Sequence, residues 1–141
     1  AFGISAAYLS KGKQMQVVHT LDGNAEVFEI AKSSFGHLEN ISFHQGNVFE
    51  RFGELVREIK PQLVFLDADH RGTTIDYYLK CLEPVMKYIK VIIVHDIYWS
   101  PDMYQVWKKH RRDFPISIDI FQAGLLFPNV QTPKQQFCLK F

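Results

Sequence analysis

The sequence predicts an α/β protein in which a mostly parallel β-sheet is covered by helices. Three observations carry this reading. Short β-branched or apolar runs alternate along the chain with longer amphipathic stretches, the pattern of a strand-helix-strand succession. Two of the runs, residues 63–66 and 91–94, are apolar throughout, as strands buried on both faces of a parallel sheet are. From residue 116 onward the segments are strand-like and joined by short turns, which suits antiparallel pairing at the C-terminal end.

Residues 17–21 form the first expected strand. The helix over 25–38 places Val27, Phe28, Ile30, Ala31 and Phe35 at helical spacing, with Gly36 near its end, where left-handed capping is common. Residues 41–44 make the second strand. The helix over 48–59 gathers Phe49, Phe52, Leu55, Val56 and Ile59 on one face, and Pro61 stops it. After the strand at 63–66 comes a helix over 73–87, then the strand at 91–94. Pro101 opens the helix that carries 103–112, with Ser100 as its N-cap. Strands at 116–121, 124–127 and 136–141 complete the chain, which reads as one domain over 1–141.

The composition fits one globular domain: 141 residues, 47% hydrophobic and 22% charged. A net charge of +1 without a long basic run gives no footing for nucleic-acid binding. Lys108, Lys109, His110, Arg111 and Arg112 form the single basic cluster, read as a solvated helix end, where cations oppose the helix dipole. No apolar run reaches membrane-spanning length and no signal pattern opens the chain. Cys81 and Cys138 lack a CxxC spacing and lie among apolar residues, so reduced buried thiols and a cytoplasmic setting are expected.

Parallel strands joined by right-handed crossovers end on one rim, and ligands bind outside that rim. Here every such end is polar: Asp22-Gly23-Asn24, Gln45-Gly46-Asn47, Asp67-Ala68-Asp69-His70 and His95-Asp96. Asp22 suits the two hydroxyls of a ribose, with Gly23 allowing close backbone approach; it equally suits a turn before the helix at Ala25. Asn47 can meet the edge of an adenine or cap the helix that starts at Val48. Asp67, Asp69 and Asp96, with His70 and His95, make an acid and imidazole group. Such oxygen-rich sets suit magnesium, calcium or manganese, and they also serve as helix caps. His70 is a candidate general base, because imidazole exchanges protons near neutrality. Tyr98-Trp99-Ser100-Pro101 lines a substrate pocket or packs under the following helix. His19, His37, His44 and His110 read as sheet-face, loop or surface residues.

Together these residues resemble the class I, Rossmann-like methyltransferases that use S-adenosylmethionine, and among them the small O-methyltransferases related to catechol O-methyltransferase. The likeness rests on Gly3-Ile4-Ser5 opening a helix, Asp22, Gly46-Asn47, Phe65-Leu66-Asp67-Ala68-Asp69-His70 and Val94-His95-Asp96. It implies a three-layer α/β/α fold and methylation of a small hydroxylated molecule. Gly3 is then the last piece of the glycine-rich cofactor loop, Asp22 and Gly23 lie at the ribose, and Gly46, Asn47 and Val48 lie against adenine. Asp67 stands near the sulfonium and is the first metal ligand, Asp96 is the second metal acid, and His70 takes the place of the family's lysine base. The family's metal-binding type has an Asp-Asn pair where this chain has Asp96-Ile97, which leaves the third ligand absent or supplied by His95 or Asp69. The family's first strand and leading glycines correspond to residues before Ala1. The 141-residue form is therefore expected to bind S-adenosylmethionine weakly or not at all, and its sheet edges make a homodimer plausible.

Two other functions compete. A nicotinamide-dependent oxidoreductase shares an acid at Asp22, yet the acids at Asp67 and Asp96 make a poor host for nicotinamide. A non-catalytic binding or oligomerisation domain keeps the fold without the reaction.

Overall fold

The structure is a computed structural model and describes residues 2–12, 17–67 and 69–139. It groups into two compact units, Ala1–Phe52 and Gly53–Phe141. Ala68 and the last two residues of the strand expected at 136–141 lie outside the described residues.

The first unit holds α1 (Ile4–Ser10), β1 (Val18–Asp22), α2 (Ala25–Phe35) and β2 (Ile41–Gln45). β1 and β2 pair in parallel, with Val18 opposite Ile41 and Asp22 opposite Gln45. Parallel neighbours need a crossover, and α2 supplies it. Asn24, in extended backbone, starts α2 by accepting the amide protons of Glu26 and Val27 on its side-chain oxygen. Ala6, Ala7, Val18 and Ile41 form a buried cluster, and Leu9, Phe35, Leu38 and Phe43 pack on it. α2 stops at Phe35, short of the expected residue 38. Gly36 is right-handed, with φ −64°, so the left-handed cap anticipated there is not formed.

α3 (Val48–Ile59) runs from the first unit into the second. It ends through Lys60, whose φ of 48° is left-handed and whose N–H donates to Val56 O at 3.0 Å. Pro61 disfavours further helix at the residue before it, and the left-handed residue closes the last turn.

The second unit contains β3 (Leu63–Leu66), α4 (Gly72–Leu82), β4 (Val91–His95), α5 (Pro101–His110), β5 (Ile116–Asp119), β6 (Ala123–Phe127) and β7 (Gln135–Cys138). Its sheet runs β3-β4-β6-β5-β7. β3 and β4 are parallel, β6 is antiparallel to both β4 and β5, and β7 is parallel to β5. The antiparallel pairing expected of the tail is therefore found between β5 and β6, and between β6 and β4, while β7 departs from it by lying parallel to β5. β6 already has a partner on each side, so the chain passes β5 and adds β7 on its outer edge.

The helix expected over 73–87 divides at Leu82 into α4 and a 3₁₀ segment, Glu83–Tyr88. Pro84 lacks the N–H that the next α-helical turn requires. α5 starts as anticipated: Pro101 takes the first turn and Ser100 Oγ accepts from Met103 N at 3.2 Å. Leu82, Ile89, Ile92, Ile97 and Leu126 are fully buried in this unit. Among the described residues no helix is long and apolar enough to cross a membrane.

Candidate active site

At the ends of β1 and β2 the first unit gathers five of the anticipated cofactor residues. Asp22 closes β1, and its carbonyl accepts the Gly46 amide just past β2 at 3.1 Å. Asp22 Oδ1 also accepts the Asn24 N–H at 2.9 Å, so the acid shapes the turn that leads into α2. Gly23 lies against the second loop: a Cβ there would stand 3.6 Å from Gly46 O and 3.7 Å from Val48 Cγ2. Gly46 has φ +146°, a conformation open to glycine, and a Cβ would fall 2.4 Å from Arg51 Cδ. Asn47 Oδ1 accepts from Phe49 N at 3.0 Å and its Nδ2 donates to Glu50 Oε1 at 3.2 Å, the capping arrangement for α3. Gly3 precedes α1 with φ +73°, and a Cβ would meet Ala31 Cβ at 3.0 Å and Phe35 Cδ2 at 3.1 Å. Its glycine is required by local backbone and packing.

The second unit brings Asp67, His95 and Asp96 together, with one ligand atom from each within 4.8 Å of the others. Asp67 follows β3 and His95 ends β4, so the parallel pairing of these strands sets them side by side. His95 Nδ1 is 3.0 Å from Asp67 Oδ1 and 3.3 Å from Asp96 Oδ2, yet it is shut off from solvent without a well-directed hydrogen bond. A nitrogen so placed between two carboxylates calls for a cation or a proton. Two carboxylate oxygens and one imidazole nitrogen make a donor set that fits a divalent ion. His95 thus stands with Asp67 and Asp96, and Ile97, where the metal-binding type carries asparagine, is wholly buried.

Asp69 is placed differently from the metal reading. Its carboxylate accepts Arg71 Nε at 2.9 Å, an Arg71 terminal nitrogen at 2.6 Å and Thr74 Oγ1 at 3.1 Å. The hydrogen bonds from Arg71 hold this carboxyl below its ordinary range against the opposing effect of burial. The arginine two residues on, Arg71, is the one sequence feature that sets Asp69 apart from Asp67.

His70 Nε2 lies 3.7 Å from Asp96 Oδ2, and its ring meets Trp99 at 5.1 Å between centroids. Of the segment Tyr98-Trp99-Ser100-Pro101, Trp99 is 68% exposed and does not pack beneath the next helix, whereas Tyr98 stacks on Tyr104 of α5 at 4.9 Å between centroids. Asp96 itself has φ 54°, left-handed for a residue other than glycine. The backbone there is pinned: Asp96 N donates to Gln122 O at 2.6 Å and Asp96 O accepts from Trp99 N at 2.9 Å.

Sequence reasoning missed Asp119. It is 1% exposed and accepts Tyr98 Oη at 2.7 Å, Trp107 Nε1 at 3.2 Å and Phe121 N at 3.0 Å. It fell inside the strand expected at 116–121 and was not singled out. The hydrogen bond to Asp119, with burial second, pushes the Tyr98 hydroxyl up to about 12.

The basic cluster is also less solvated than expected. His110 contacts Asp76 through Nε2 and lies 3.4 Å from Asp113 through Nδ1, and Lys109 reaches Asp76 at 3.1 Å. Cys81 is half-buried and Cys138 exposed, both free, so the burial anticipated for Cys138 is not found. Tyr104 and Lys108 stand four residues apart on α5, with the Lys108 ammonium 4.8 Å from the Tyr104 ring centroid.

The comparisons with known proteins follow the same lines. An uncharacterised protein from Listeria monocytogenes serotype 4b superposes with a TM-score of 0.64 at 14% sequence identity, over 95% of this chain and 60% of its own. That likeness shows a shared fold, and this chain spans about 60% of the length of that protein. No curated protein sequence matches. A family profile described as a methyltransferase domain matches residues 1–97, which include both clusters of strand-end residues. On this match the chain belongs to the methyltransferase-domain family, of the class I, S-adenosylmethionine-dependent kind with a Rossmann-like fold.

Proposed function

We propose that the protein that carries this domain, taken over residues 1–141, transfers the methyl group of S-adenosylmethionine to a hydroxyl oxygen of a small molecule. The observation that carries this reading is the meeting of Asp67, His95 and Asp96 beside His70, in a chain of the methyltransferase family. S-adenosylmethionine, when bound, supplies an electrophilic methyl carbon on a sulfonium. Asp22 accepts the ribose hydroxyls, Gly23 and Gly46 keep the loop backbone close to the nucleoside, and Asn47 and Val48 lie along the adenine. The family resemblance assigns Gly3 to the turn at the methionine portion and Asp67 to the sulfonium.

A divalent cation such as magnesium, when bound, supplies Lewis acidity that favours the ionised acceptor oxygen. Asp67, His95 and Asp96 would hold it, while Asp69 steadies the loop through Arg71. His70 accepts the acceptor's hydroxyl proton, the acceptor oxygen forms the new bond to the methyl carbon, and the carbon-sulfur electron pair remains on sulfur. Trp99 offers an apolar wall to the acceptor. The setting is cytoplasmic, and the partner is a small molecule, with self-association into a dimer as the second arrangement to test.

Methyl transfer from labelled S-adenosylmethionine to panels of phenols, sugars and small hydroxy acids tests the activity. We expect one panel to be labelled, with loss of about 10²-fold or more in His70→Gln. Thermal shift with S-adenosylmethionine but not NAD supports the methyltransferase; the reverse outcome favours an oxidoreductase.

A further inference from the structure

We propose that Asp102 is a positioning residue that sets the separation of the two acid-bearing loops. This rests on the methyltransferase reading above and adds a residue to it. α4 has no cap of its own: Arg71, its N-cap residue, makes no side-chain capping bond. The acceptor comes from another helix. Asp102 Oδ2, in the first turn of α5, accepts the Gly72 N–H at 2.7 Å.

Gly72 makes the approach possible. A Cβ there would lie 2.6 Å from Val106 Cγ2 and 2.8 Å from Asp102 Oδ2, so any larger residue would push α5 away from the start of α4. The contact joins the far ends of two loops. One loop leaves β3 with Asp67, Asp69 and His70 and enters α4 at Gly72; the other leaves β4 with Asp96 and Trp99 and enters α5 at Pro101. Their near ends are fixed by the β3–β4 pairing, where Leu66 stands opposite Val94. Fixed at both ends, the loops hold His70 against Asp96 at 3.7 Å and under Trp99 at 5.1 Å. An aspartate suits this place for a second reason, since a carboxylate favours the positive ends of both helices.

The test compares Asp102→Ala, Asp102→Asn and Asp76→Ala. Asp76→Ala removes a second polar contact between α4 and α5, with Lys109 and His110, and so controls for a loss that is only structural. In Asp102→Ala we expect Mn²⁺ affinity to fall about tenfold and kcat about 10–100-fold, with a smaller change in KM for the acceptor. Asp102→Asn keeps a carbonyl acceptor and restores both values to within about threefold of wild type, and Asp76→Ala leaves both near wild type. Unchanged Mn²⁺ affinity and kcat in Asp102→Ala, or an equal loss in Asp76→Ala, overturns the proposal.

A third readout needs no activity: the ring-current shift that Trp99 imposes on the His70 protons. If wild type binds no Mn²⁺ and transfers no methyl, the proposed function fails by itself. The positioning role then stands if Asp102→Ala, and not Asp102→Asn, moves the His70 resonances, and falls if neither does.

Discussion

Asp119 shows how much one side chain settles. A carboxylate almost wholly withdrawn from water is tolerated when donors surround it, and here Tyr98, Trp107 and Phe121 all donate, with Arg111 3.7 Å away. Removing it leaves those donors without an acceptor. We expect Asp119→Ala to lower stability by about 3–5 kcal/mol, read from the denaturant midpoint. The same bond keeps the Tyr98 phenol protonated. A raised phenol pKa contributes stability that is present below the ordinary pKa near 10 and is lost as pH rises through about 12. Alkaline spectrophotometric titration checks this: Asp119→Ala should shift one tyrosine out of the late-ionising group, which also holds Tyr78, whose burial pushes it up to about 12. A titration unchanged by the substitution would refute that link.

At the scale of elements, α4 and α5 are tied at two points, Gly72 to Asp102 and Asp76 to Lys109 and His110. Burial would raise the Asp76 carboxyl, but the bonds from His110 and Lys109 outweigh it and hold it below the ordinary carboxylate value. A lowered carboxyl pKa contributes stability that is present above the ordinary value and fades as pH falls through the lowered one. Asp76→Asn should therefore be less stable than wild type at neutral pH, and the two should converge in acid; a gap that persists below the carboxyl range would contradict this. α5 also presses Trp107 onto β6, where a Cβ on Gly124 would lie 2.4 Å from two ring carbons. Gly124→Ala should cost about 1–3 kcal/mol by overpacking, measured by thermal or denaturant unfolding.

Element boundaries explain what the sequence could disclose. The strand cores at 63–66 and 91–94 stood out because burial on both faces leaves only apolar residues, and Ser100-Pro101 stood out because capping is a local matter. The split at Leu82 was legible in principle from Pro84. The parallel placement of β7 was not, because strand order is decided by which edge remains unpaired, a long-range fact absent from any short window.

For the molecule as a whole, the candidate site was legible to the same extent. Asp22, Asp67 and Asp96 could be named because an acid directly after a buried run marks the carboxyl end of a strand. The choice between Asp69 and His95 could not be made, since it turns on which side chain Arg71 captures and on the β3–β4 register. Asp119 and Asp102 were hidden because their partners are distant in sequence, twelve or more residues away for Trp107, Tyr98 and Gly72.

The central claim is that the acid closing β1 holds the nucleoside of S-adenosylmethionine. Calorimetric titration of that cofactor into the whole protein that carries this domain, and into its Asp22→Ala variant, tests it most directly. The account predicts at least about a tenfold loss of affinity in the variant, on the order of 1.4 kcal/mol. Equal affinities would contradict it.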